Sequence, residues 1–548
     1  MQSDMASQAP ILASPRVAPL RPSFSFTSVV SDHTSDAVVS KSAIALLPQP
    51  ELQHYSNQLR LHLQWRAAAK MQFLMFRNTV GCVVAAVFAN GCFYSGNVFS
   101  LKSSTEQSQP EFLMAILVWT AVVHSIKMTA AYLPSLLTQR FLEFPDYKPT
   151  IFFCLKKLTK KTSPYLAVSL VIMIGIGLLV QKTPLMREYF EYKTHFYIGN
   201  LSNLIFTTGI AISARRIYYE ETDQGHERRS ALNDISEPRQ TRLATGPAPS
   251  RPHRAPKYRS TNFWREYLVQ FPNAVHIWVC GGFVHVVSWY GVLNRGTAVI
   301  MGFTVFGIGM KLAFQVAARH YILKKKIRSI RTMCVLVGLP TVLIDTQSRI
   351  ILLGTQTNSF LVAGTFAMAV AELSLRVGKA TFIFWTIRRR ASVLENELQK
   401  LSERPQGGPS ISALKLEFEL WKRQIISYYT AELTADMYAE YIAIGCSQSI
   451  VFWWVGHPLY PALQLDTGSA MNLRDVAMWR FNQVAMLSFQ FVVEIFVDYL
   501  CVVLEMAAGI DFERIESLST FLGVLFMMMA VLNINISSVV YLSVNGMN

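Results

Sequence analysis

The feature that most limits what this chain can become is a series of apolar stretches, each about as long as a membrane is thick. They fall at 75–97, 112–136, 164–182, 196–214, 268–292, 297–319, 332–354, 359–386, 424–455, 475–507 and 518–543. A helix rises about 1.5 Å per residue, so about 20 residues cross the ~30 Å hydrocarbon layer. An ordinary soluble chain of 548 residues would be divided among several polar-surfaced domains. Here 51% of residues are hydrophobic, 16% are charged and the mean hydropathy is +0.28. The pattern predicts an all-α polytopic membrane protein with about eleven transmembrane helices. The count drops to ten if the last segment, interrupted by Asn533, Asn535, Ser537 and Ser538, only lies in the interface.

That fold class changes the meaning of the formal net charge of +16. Basic residues gather on the cytoplasmic loops of membrane proteins, so the charge points to orientation and not to nucleic acid. Alternate connections carry the bases: Lys156, Lys157, Lys160 and Lys161, then the arginine-rich 215–266, then Lys324, Lys325, Lys326, Arg328 and Arg331, then Arg388, Arg389 and Arg390. The intervening loops hold little more than Lys102, Arg295 and Arg474. This alternation places the N-terminus in the cytosol. The plasma membrane or an endomembrane is the expected location.

The predicted organisation follows. Residues 1–50 are rich in Ser, Pro and Ala without periodicity and read as a disordered cytosolic tail. Leu52, Tyr55, Leu59 and Leu63 then fall on one helical face, so 51–72 reads as an amphipathic helix in the headgroup layer. Helices one to four occupy 73–214, and 215–266 is a basic, largely disordered cytosolic loop. Helices five to eight occupy 267–386, and 387–423 is a cytosolic helical hairpin turning at Pro405–Pro409. Helices nine to eleven occupy 424–548. The tail and the 215–266 segment are the places where a cytosolic protein partner would dock; the bilayer is the partner of the rest.

Within this apolar framework, ionisable residues stand out. Each costs about 2.5–3.5 kcal/mol at a helix centre, so an unpaired one facing lipid is rare. The ninth segment spaces Glu432, Asp436 and Glu440 four residues apart. On the tenth, Glu494, Asp498 and Glu505 lie within about 40° of one another, and the same face runs back through Gln490 and Gln483 to Arg480. The eighth carries Glu372, Arg376 and Lys379, the seventh Asp345 and Arg349, the sixth Lys311, and the second His124 and Lys127. Spacings of four residues suggest pairs Glu372–Arg376 and Asp345–Arg349 within single helices. By helical rise, Arg376 and Lys379 lie roughly 12–16 Å from the cytosolic end, and Glu494 and Asp498 roughly 10–16 Å.

These depths match, so acids and bases are expected in one layer. Glu440, Glu494, Asp498, Asp436 and Glu505 are the candidate ion- or proton-binding groups, with Arg376, Lys379, Lys311 and Arg480 as counter-charges. Carboxylates in excess must hold protons or a cation. No cofactor is implied beyond a hard cation such as Na⁺, Ca²⁺ or Mg²⁺, and no metal ligand set is certain. His276 and His285 lie on opposite helix faces, and the seven cysteines share no Cys-x-x-Cys spacing.

No nucleotide-binding loop, zinc-protease or nucleophile-elbow motif is present, and Ala435 and Val497 precede Asp436 and Asp498 where intramembrane aspartyl proteases carry other residues. No enzymatic activity is expected. The leading expectation is a transporter or channel for a small ion or solute. A non-transporting receptor or scaffold with structural ion pairs is the alternative, and a Ca²⁺-gated channel or lipid scramblase is a further one.

Overall fold

The computed structural model describes residues 49–143, 147–183, 192–228, 262–292, 295–325, 327, 329–353, 358–403, 411–463, 473–507, 510, 512 and 518–543; within these, the side chains of 49–64, 273, 297, 358–364, 368, 371, 400–403, 473–480 and 483 lie outside the description. The expected tail at 1–50, most of the 215–266 loop and the Pro405–Pro409 turn fall largely outside the described residues.

Long helices dominate: α1 (Gln49–Tyr94), α2 (Gln109–Leu137), α3 (Ile151–Lys182), α4 (Thr194–Glu221), α5 (Phe263–Trp289), α6 (Thr297–Lys324), α7 (Ile330–Leu353), α8 (Asn358–Glu403), α9 (Ile411–Trp454), α10 (Leu473–Ala507) and α11 (Ser519–Val540). Local signals mark several starts. Pro110 occupies the first turn of α2, the Thr150 hydroxyl accepts from Phe153 N before α3, and Asn262 accepts from Trp264 N before α5. Seven helices are long and apolar enough to cross a membrane by length and composition: those at Trp65–Tyr94, Gln109–Leu137, Ile151–Lys182, Ala298–Lys324, Ile330–Leu353, Val484–Met506 and Ser519–Val540. Among the described residues the expected eleven are not reached on that measure: α4, α8 and α9 do not meet it, and α5 offers only the shorter apolar stretch Ala274–Trp289.

Two helices form the centre. Every residue of α9 from Tyr428 to Val451 is buried. α7 covers it most extensively, with α1, α10, α11, α8 and α6 around the rest. α11 is the second core helix, packed on α1, α2, α9, α7 and α5. Close approach has a local cause at Gly445, where an added Cβ would lie 2.3 Å from a Val83 methyl of α1. The Tyr438 ring stacks on Phe526 of α11 at 4.5 Å. Outward faces of α3, α6, α8 and α10 present Val171, Phe306, Phe366 and Phe496, as lipid contact requires.

The polar residues of α11 point inward. Asn533 donates to the Val342 carbonyl at 3.1 Å and to the Thr346 hydroxyl at 2.8 Å, and Gln347 donates to Ser537 Oγ at 3.0 Å. Tyr460 OH donates to the Ser538 carbonyl at 2.6 Å, and Thr120 to Asn535 Oδ1 at 3.3 Å. Of the residues that read as interruptions of an apolar span, Asn533, Asn535 and Ser537 make its hydrogen bonds to α2 and α7, whereas the Ser538 hydroxyl is buried without a partner among the described residues.

Boundaries differ in two places. The 51–72 segment is no separate element but the first part of the 46-residue α1. Of the 215–266 loop, Arg215 and Arg216 belong to α4, and Glu266 of α5 pairs with Arg215 at 2.8 Å. The C-terminal part of α8 and the N-terminal part of α9 meet, with the Arg390 guanidinium 4.2 Å from the Trp421 ring.

Candidate functional site

Five helices deliver the buried charges. α9 presents Glu432, Asp436 and Glu440 at successive turns; α10 presents Gln490, Glu494, Asp498 and Glu505, all buried. α8 brings Glu372, Arg376 and Lys379, α6 brings Lys311 and Gln315, and α7 brings Asp345 and Arg349. The charges divide into two adjoining groups.

In the first, lysines and acids nearly balance. Lys379 Nζ donates to Glu432 Oε1 at 3.0 Å, to Asp436 Oδ2 at 3.3 Å and to Gln315 Oε1 at 3.0 Å. Gln315 Nε2 donates in turn to Asp436 Oδ1 at 2.7 Å. Lys311 Nζ lies 2.7 Å from Asp345 and 3.6 Å from Asp436. Three carboxylates thus share two ammonium groups and an amide, with most oxygens occupied.

The second group is crowded with acids. A single guanidinium nitrogen of Arg376 lies 2.5 Å from Asp498 Oδ1, 2.7 Å from Glu372 Oε1 and 3.4 Å from Glu440 Oε2. Oxygens of Glu372, Glu440 and Asp498 all fall within 4.8 Å of one another. Arg349 reaches Glu494 at 3.7 Å. Glu505, 5% exposed, has neither oxygen hydrogen-bonded among the described residues. Asp498 Oδ2, the other two nitrogens of Arg376 and Arg349 Nε are also buried without a hydrogen-bond partner. Glu372, Glu440, Glu494, Asp498 and Glu505 therefore face two guanidiniums whose donors are only partly used.

Low dielectric makes such a group costly unless further positive charge enters. A hard cation would use carboxylate oxygens, which Glu372, Glu440 and Asp498 supply. Yet the Arg376 nitrogen already stands against all three, so a metal ion would have to displace it. A proton needs no such space.

All five sequence-predicted acids are buried. Glu440, Glu494 and Asp498 meet in the second group, Asp436 belongs to the first, and Glu505 stands further along α10. Arg376, Lys379 and Lys311 are the counter-charges, as their depth implied. Arg480 precedes Glu494 by about 21 Å of helix, and its side chain lies outside the described residues. Among the described residues the base nearest Glu494 is Arg349, which the spacing had assigned to Asp345. The spacing of Asp345 and Arg349 misled, because α7 turns the first toward Lys311 and the second toward Glu494. Glu372 does pair with Arg376 and is also the third carboxylate of the crowded group. Gln315, one turn from Lys311, was visible only as an amide on an apolar helix. Tyr441, which accepts from Gln72 and faces Asp498, gave no signal. Compared with protein-family models, with curated proteins and with solved structures, the chain matches none.

Proposed function

We propose that this is a non-enzymatic multipass membrane transporter or channel for a small ion or solute, in which the Glu372–Glu440–Asp498 group, with Glu494 and Glu505, binds a proton. The observation that carries the reading is the local excess of carboxylate around one shared nitrogen of Arg376. Structural pairing needs one acid for each base; five acids against two bases leave charge that a mobile cation must neutralise. A proton is favoured over Na⁺, Ca²⁺ or Mg²⁺ because Arg376 occupies the space a metal would take. Arg376 then exchanges acid partners as protons come and go. In this reading eleven helices cross the membrane, α8 and α9 included, since neighbouring helices shield their charges from lipid. The N-terminus is cytosolic, and residues 1–50 and 215–266 meet cytosolic proteins.

The test is flux into proteoliposomes against a panel of cations at two pH values. Glu494→Gln and Asp498→Asn are expected to abolish flux in protein that inserts normally. Unchanged flux in both variants would overturn the reading. A scaffold is the second reading, favoured by the nearly balanced pairs of Lys311 and Lys379. It predicts no flux in any variant and a loss of stability in both.

A further inference from the structure

A partly open cavity of about 370 Å³, apart from the Arg376 and Lys379 groups, is lined by α2, α4, α5, α7 and α11. Its walls are largely aliphatic and thioether, among them Leu204, Leu339, Leu525 and Met528. Four of its polar side chains are already engaged. Arg215 and Glu266 neutralise one another at 2.8 Å, and His124 Nε2 is bonded to the Thr207 hydroxyl at 2.9 Å.

Lys127 is different. It lines the cavity, is 7% exposed and has no carboxylate or hydrogen-bond partner among the described residues. Asn203, also on the lining and 3% exposed, has a carboxamide oxygen without a partner. Because amide O and N are assigned by their bonds, this unengaged group can turn its NH₂ to a ligand. An isolated ammonium in an apolar enclosure is costly unless an anion joins it.

We infer that the cavity around Lys127 binds a single-chain amphiphile with a carboxylate head, of the fatty-acid class, the head on Lys127 and Asn203 and the chain among Leu204, Leu339, Leu525 and Met528. One lysine suits a monoanion. The volume is at the small end of ligand pockets, about 300–1,000 Å³, and suits one chain better than two. Lys127 also lies about 15 Å from the end of α2 at Leu137, deeper than a bilayer headgroup sits.

The experiment uses the full chain in nanodiscs, with dansyl-undecanoate as the probe and its alcohol analogue as the uncharged control. Wild-type protein is expected to bind the acid roughly tenfold tighter than the alcohol, the scale of a hydrogen bond to a charged group. Lys127→Met should bring acid binding down to the alcohol's level, Lys127→Arg should keep the preference, and Leu339→Trp should lose both ligands by filling the cavity. Equal binding of acid and alcohol by wild type overturns the proposal even if Lys127→Met fails to accumulate. So does acid binding unaffected by Lys127→Met.

Discussion

Around Arg376 acids outnumber bases and share one guanidinium; around Lys127 the cavity's one acid, Glu266, is already paired with Arg215, and the lysine has no carboxylate partner among the described residues. Both are ionisable groups on helices deep in the same apolar framework, yet they are unbalanced in opposite directions. The first has carboxylate oxygens left over, and the second a donor. Buried charge is therefore informative less by its presence than by the sign of what remains unpaired.

The comparison is broken most directly at Arg376. Arg376→Met strands Glu372, Glu440 and Asp498 together, and removing one partner of a buried network costs about 3–5 kcal/mol. The expected result is loss of monodisperse protein by size-exclusion chromatography, partly restored when Asp498→Asn is added. Next in size is a change of opposite sign: Lys127→Met removes an isolated ammonium and should raise stability by about 1–3 kcal/mol, read as a higher thermal midpoint in ligand-free detergent. If both substitutions destabilise alike, the two regions do not differ as described. Smaller again, Glu494→Gln alone should leave stability unchanged or raise it by about 1 kcal/mol, since it takes away surplus charge; a marked fall in thermal midpoint would mark Glu494 as a structural partner of Arg349.

The smallest effect sharpens any pH measurement on either region. His457, in the turn after α9, packs on Phe112 with ring centroids 5.0 Å apart. Burial pushes it down to about 4 from an ordinary 6.5, against a weaker upward pull from its bond to the Ser104 backbone. The fold thus binds fewer protons than the unfolded chain between those values. The contribution of His457 to stability is full above about 6.5 and is lost as pH falls toward 4. His457→Gln should flatten this slope in thermal melts from pH 7 to 5, leaving any remaining pH dependence to other groups.

How much of this could be read from the residues depends on what fixes them. The face of α10 followed from 100° per residue, so Gln490, Glu494, Asp498 and Glu505 share one buried side as expected. Helix positions were equally legible because apolar length is a local property. Partners were not. Whether Arg349 meets Asp345 or Glu494 is decided by how α7 crosses α10, which no spacing within α7 encodes. Nor did the charges of α9 suggest the most enclosed helix, since shielding comes from six neighbours. Lys127 was evident as a base in a span, but its cavity is made by five helices distant in sequence.

α9 is a rod sealed by neighbouring helices for about seven turns, between Tyr428 and Val451. Under the proposed transport reading, a change of state would move peripheral helices along it more easily than it would move α9. Glu432, Asp436 and Glu440 form rungs about 6 Å apart on that rod. A one-turn shift of α8 would hand the Arg376 side chain from one rung to the next, a ratchet that Arg390 stacked on Trp421 would register at its base.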